Sequence, residues 1–136
     1  MAKFYMNPPN ISQPLLLMAK KDLKAAKTLA VSADPDIEIV GFHLQQATEK
    51  SLKAWLVSLG EPLIKTHDIS FLLNRLEELQ QSIDDELWLL AELNPFAVQF
   101  RYGLFDDEPL DWQASYQHIE GLIQTIELFT YGAPHE

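Results

Sequence analysis

Apolar residues in this chain recur three and four positions apart, the spacing of one helix face. Leu16, Ala19, Leu23, Ala26 and Ala30 form the first stripe. Ser12 is placed as its N-cap and Pro14 suits a first helical turn, so a helix is predicted from there to about Val31. Asp34-Pro35-Asp36 then offers a capping oxygen, a proline for the first helical position and acids for the positive end of the dipole. The second helix is predicted from this point to Leu59, with Gly60 closing it in the left-handed conformation. Its core face is Val40, Leu44, Ala47, Ser51, Trp55 and Leu59. His43, Gln46, Lys50 and Lys53 follow the same spacing as a polar row, and Glu49 is set to pair with Lys53 one turn on.

Residues 60–68 read as a loop, with Thr66 or Asp68 capping a third helix. Ile69, Leu72, Leu73, Leu76 and Leu79 give that helix a narrow stripe ending near Gln80. Ser82-Ile83-Asp84-Asp85 resembles a capping box with Asp in place of Glu, and opens a fourth helix carrying Leu87, Leu90 and Ala91. Pro95 should kink or end it, because proline lacks the donor and clashes with the preceding turn. Residues 96–102 read as a further short helical piece and 103–108 as an acidic loop. Pro109 opens a fifth helix with Ser115, Ile119, Leu122, Ile126 and Phe129 on its stripe, ended by Tyr131-Gly132-Ala133-Pro134. No period-2 alternation or hairpin dipeptide occurs. The expected fold is all-α, an up-and-down bundle of four to five helices. One domain over residues 1–136 is expected, with an irregular lead-in at 1–13 and a tail at 132–136.

Composition narrows the chemistry. The chain has no cysteine, which excludes disulfides, thiolate nucleophiles and Cys-based zinc sites. The run Leu15-Leu16-Leu17-Met18-Ala19 is far shorter than a spanning helix, and no signal-peptide apolar core follows Met1-Ala2-Lys3, so a cytoplasmic location without membrane contact is expected. Net charge is -10, unevenly spread: residues 1–65 hold eight lysines and six acids, residues 66–136 two arginines and fourteen acids. An acidic balance works against non-specific nucleic-acid binding, which is driven by counterion release at basic surfaces. No glycine-rich phosphate loop, nucleophile elbow or His-Glu-x-x-His pair occurs.

The candidate site is the second helix's polar row with the start of the third. If His43 and His67 meet, with Gln46, Lys50 and Arg101 beside them, they form a pocket for a phosphate or nucleotide. The alternative is structural: His43 bonds across a helix or dimer interface and His67 helps to cap the third helix beside Asp68. Gln45 and Gln46 either read a base edge or partner backbone, or are ordinary surface residues. Arg101 with Tyr102 either contacts a phosphate with the ring stacking, or Arg101 pairs with Asp106 or Asp107. Asp106-Asp107-Glu108 lacks the spacing of a metal loop, and no metal or other cofactor is expected. Trp55, Trp88 and Trp112 are expected to anchor the core or an interface.

Four segments in this order carry a family resemblance: Asp22-Leu23-Lys24-Ala25-Ala26, residues 42–54, Thr66-His67-Asp68-Ile69 with Leu72-Leu73, and Arg101-Tyr102. Together they resemble the HEPN family (higher eukaryotes and prokaryotes nucleotide-binding domain) over about residues 15–130. The resemblance implies a compact helical bundle, often a homodimer, frequently encoded with or fused to a small nucleotidyltransferase in toxin–antitoxin-like systems. Some members cut RNA without metal through an Arg-x4–6-His motif; others look like non-catalytic nucleotide-binding or interaction modules. That motif fails here. Neither Arg101, followed by residues 102–108, nor Arg75, followed by residues 76–82, has a histidine in the window. The expectation is therefore a binding module for a nucleotide, RNA or a nucleotidyltransferase partner, not catalytic by itself, with His43, Gln46, Lys50, Lys53, His67, Arg101 and Tyr102 as its contact residues. A ribonuclease toxin with a degenerate site and a stand-alone interaction protein are the alternatives.

Overall fold

The computed structural model describes residues 8–97 and 110–131, and side chains from Ile11 to Ala97 and Leu110 to Thr130. The elements are α1 (Pro8–Ala30), α2 (Ile37–Ser58), α3 (Ile69–Glu78), α4 (Asp85–Leu89), a 3₁₀ segment (Leu90–Ala97) and α5 (Trp112–Tyr131). Among the described residues there is no strand, and the helices pack together as an all-α bundle.

α2 is the hub. It packs against α1, α3, α5 and the 3₁₀ segment, and burial extends well beyond the stripe read from the sequence. Val40, Leu44, Ala47, Ser51 and Trp55 are buried as expected, with Leu59 half-buried; Leu52, Ala54, Leu56 and Val57 are buried as well. Leu16, Ala19, Leu23 and Ala26 of α1 pack into the same core, as do the α3 stripe and Ile119, Leu122, Ile123 and Ile126 of α5. Phe129 departs from its expected place: it is exposed, with its ring edge-on to Trp55.

Helix ends show where local patterns mislead. α1 begins at Pro8, so Ser12 is not its cap. Prolines fit a first turn, whose N–H groups lack partners in any case, and that admits Pro8 and Pro9. Ser12 is instead fully buried and donates from Oγ to the Ala54 carbonyl of α2 at 3.2 Å. The N-cap of α2 is Asp36 rather than Asp34, and that of α4 is Asp84, whose Oδ1 accepts from Leu87 N at 2.9 Å, so the Ser82 capping box does not form. Asp111, not Pro109, opens α5: its Oδ1 accepts from Ala114 N at 3.0 Å. α4 is only five residues long, and the chain tightens to 3₁₀ winding before Pro95 is reached.

α2 and α3 both end in a Schellman arrangement. In α2, Gly60 N donates to Val57 O and Glu61 N to Leu56 O, with Gly60 at φ 95°. In α3 the same pair of bonds forms around Gln80, at φ 67°, a left-handed conformation that glycine adopts more easily.

Candidate functional site

Two carboxylates organise the polar side of α2. Asp22 on α1 faces His43 and Lys50, which lie two turns apart on α2. His43 Nδ1 lies 2.9 Å from Asp22 Oδ1, and Lys50 Nζ donates to Oδ2 at 2.5 Å. An ionised carboxylate only accepts, so His43 Nδ1 carries the proton and Nε2 is the atom left over.

Glu49 holds a second set of the same composition. Its Oε1 accepts from His67 Nδ1 at 2.9 Å and from Gln45 Nε2 at 3.0 Å, while Oε2 accepts from Lys53 Nζ at 2.6 Å. Gln45 and Lys53 lie one turn either side of Glu49, so the helix repeat supplies both neighbours. Gln46 Nε2 donates to Gln45 Oε1 at 2.7 Å, which ties the polar row to this cluster. The Glu49 side chain is only 6% exposed. Burial pushes its carboxyl pKa up, but the bonds from Lys53, His67 and Gln45 outweigh this and hold it below the ordinary value.

The loop that carries His67 is fixed at three points. Gln45 Nε2 lies 3.4 Å from the His67 carbonyl oxygen. Asp68 caps α3, its carboxylate accepting from Ser70 N and Phe71 N, while Thr66 Oγ1 accepts from Asp68 N at 3.1 Å. Asn94 of the 3₁₀ segment accepts from Ile69 N at 2.8 Å and donates to Asp68 Oδ1 at 2.9 Å. Two residues on, the Phe96 ring lies where a Cβ on Gly41 of α2 would project, so the absent side chain lets the 3₁₀ segment approach α2 closely.

The structure thus places His43 and Lys50 in one cluster and Gln46, Lys53 and His67 in another, not in the expected pocket. The two histidines belong to different carboxylates, His43 on the α1 side of α2 and His67 on the α3 side. Gln45 is fully buried, so it is neither a surface residue nor a base reader. His67 does not cap α3; Asp68 does. The expected Glu49–Lys53 pair is present. Arg101, Tyr102 and the 106–108 acids lie outside the described residues. The roles of Asp22 and Asn94, and the bonds of Glu49 to His67 and Gln45 beyond its expected pair with Lys53, were missed by residue-type reasoning, which looked for cations and imidazoles and passed over most of the acceptors that fix them. A usable signal was present: Glu49 has a donor four residues away on each side.

Each lysine is already paired with a carboxylate through one of its three donors, which reduces the net positive charge it presents to an incoming phosphate. Among the described residues, both imidazoles keep Nε2 without a hydrogen-bond partner, and the His67 side chain is 70% exposed. No group of three or more His, Asp or Glu side chains among the described residues is arranged to hold a metal ion, and no helix there is long and apolar enough to cross a membrane.

No curated protein and no solved structure matches the chain. The sequence model of the HEPN domain does, over residues 12–129, which takes in α1 almost entirely and both carboxylate clusters. The chain belongs to the HEPN domain family.

Proposed function

We propose that this chain is a non-catalytic HEPN-type binding module that acts in the cytoplasm, dimerises through the outer face of α2 about Phe42, and presents the adjoining polar row of that face to a partner protein. A small nucleotidyltransferase is the partner class that the family resemblance suggests, and it would supply any catalysis. The observation that carries this reading is the pairing of Lys50 with Asp22 and of Lys53 with Glu49. A phosphate site keeps cations available; here they are bound within the fold, which leaves a rigid hydrogen-bonding surface beside exposed Ile39 and half-buried Phe42. Aromatic anchors set in a polar rim are the usual make-up of protein interfaces. The test is calorimetric titration with ATP and GTP at millimolar ligand, alongside co-purification with the candidate nucleotidyltransferase. Complex formation that Gln46→Arg abolishes, with no nucleotide heat arising from this face, supports the reading. Nucleotide binding lost on Lys50→Ala overturns it.

A second reading, metal-independent RNA cleavage, draws on the outward Nε2 atoms of His43 and His67. General acid–base work needs such atoms within hydrogen-bond reach of the reacting oxygens. Its test is RNA degradation in the presence of chelator; activity lost on His43→Ala or His67→Ala would establish it in place of the binding module.

A further inference from the structure

A groove of about 520 Å³ runs between α1 and α5, lined by neither carboxylate cluster. The two helices are antiparallel there, because Lys20 pairs with Glu127 and Lys27 lies over Tyr116. The Lys20–Glu127 ion pair closes one end. Lys27 Nζ, 5.4 Å from the centre of the Tyr116 ring, closes the other. Leu23 and Ile123 line the space between, and both belong to the buried core.

Between these two clasps lie Lys24 on the α1 wall and Glu120 on the α5 wall. The register set by the clasps places them at the same level. Both are exposed, and neither has an ion-pair or hydrogen-bond partner among the described residues. They are also not joined to each other by a salt bridge. Among the described residues the groove therefore offers two ammoniums without a carboxylate partner, Lys24 and the ring-stacked Lys27, one such carboxylate, Glu120, and an apolar floor with an aromatic edge. Its volume falls in the range of small-molecule sites, which pair apolar lining with a few convergent polar groups.

We propose that this groove binds a small zwitterion with an apolar body, of the α-amino-acid type. Lys24 takes the ligand's carboxylate, Glu120 takes its ammonium, and Leu23, Ile123 and Tyr116 receive its side chain. The chemistry selects against two other ligand classes. A polyanion meets Glu120 in the groove and the -10 net charge of the whole protein. A simple cation meets Lys24 and Lys27. A net-neutral ligand with both charges answers both walls. This inference does not rest on the α2 surface, so it stands or falls apart from the function proposed there.

The test is calorimetric titration and thermal shift of the full chain with three probes: L-phenylalanine, 3-phenylpropionate without the ammonium, and phenethylamine without the carboxylate. The expected result is saturable binding of L-phenylalanine with both truncated probes weaker by roughly tenfold, the effect of losing one charged hydrogen bond. Lys24→Met and Glu120→Gln should each weaken L-phenylalanine binding to a similar degree. Both side chains are exposed, so circular dichroism should show both variants folded. Absence of binding by any probe overturns the proposal. So does 3-phenylpropionate binding as well as L-phenylalanine, which makes this an anion site, or binding that both variants leave unchanged.

Discussion

Asp22 and Glu49 hold the same trio, a carboxylate with a histidine Nδ1 on one oxygen and a lysine Nζ on the other, at different depths. Around Asp22 the side chains of His43 and Lys50 remain 27% and 23% exposed. Around Glu49 the histidine is 70% exposed, but the lysine is 11% exposed and the carboxylate 6%, against 14% for the Asp22 carboxylate, with a buried glutamine as an additional donor. Water can replace part of what Asp22 supplies, but little of what Glu49 supplies to Lys53 and Gln45. The same hydrogen-bond pattern therefore acts as a latch between α1 and α2 in one case and as a keystone joining α2 to the loop before α3 in the other.

The largest expected effect is on the keystone. Glu49→Ala leaves Lys53 largely buried and unpaired and releases His67, and should cost about 3 kcal/mol in urea unfolding. Asp22→Asn should cost about 1 kcal/mol, because His43 and Lys50 can turn to water. Equal losses at the two sites would remove the distinction between them. Asn94→Ala, which removes one tie on the His67 loop, should also cost about 1 kcal/mol by the same measurement.

Acid titration sharpens the comparison further. The folded-state pKa of Glu49 lies below the ordinary value of 4.5, while the unfolded chain titrates near that value. Folding therefore favours the ionised form. This contribution is fully present above about pH 4.5 and is lost as pH falls through the lower folded-state value. Unfolding midpoints followed from pH 6 downward should decline in that window, and Glu49→Gln should flatten the decline.

Most of the fold was legible because helix stripes depend on spacing alone. The α3 stripe and the ends of α2 and α3 needed no tertiary information, and Gly60 announced its left-handed turn. The caps assigned to Ser12, Asp34 and Ser82, and the start assigned to Pro109, each missed by a few residues. At α2, α4 and α5 an aspartate two residues further along holds the N-cap position instead. Ser12 was claimed by the Ala54 carbonyl, a contact 42 positions away. The 3₁₀ segment was illegible for the same kind of reason: the attachments of Asn94 to α3 and of Phe96 against Gly41 are tertiary. In the candidate site the donors and the one acceptor a helical turn away, Glu49 for Lys53, could be named from sequence, but the acceptor on another helix, Asp22, could not. A lysine row reads as a phosphate surface until the carboxylate across the helix interface is placed.

On the function proposed here the outer face of α2 contacts protein, and the direct test is molar mass by light scattering at micromolar concentration. Wild type and Phe42→Glu should be compared, because Phe42 is half-buried on that face beside His43. The expected result is a wild-type dimer at about twice the 15.5 kDa chain mass, with Phe42→Glu at the chain mass. A wild-type protein at 15.5 kDa, or a folded Phe42→Glu variant that remains dimeric, contradicts it.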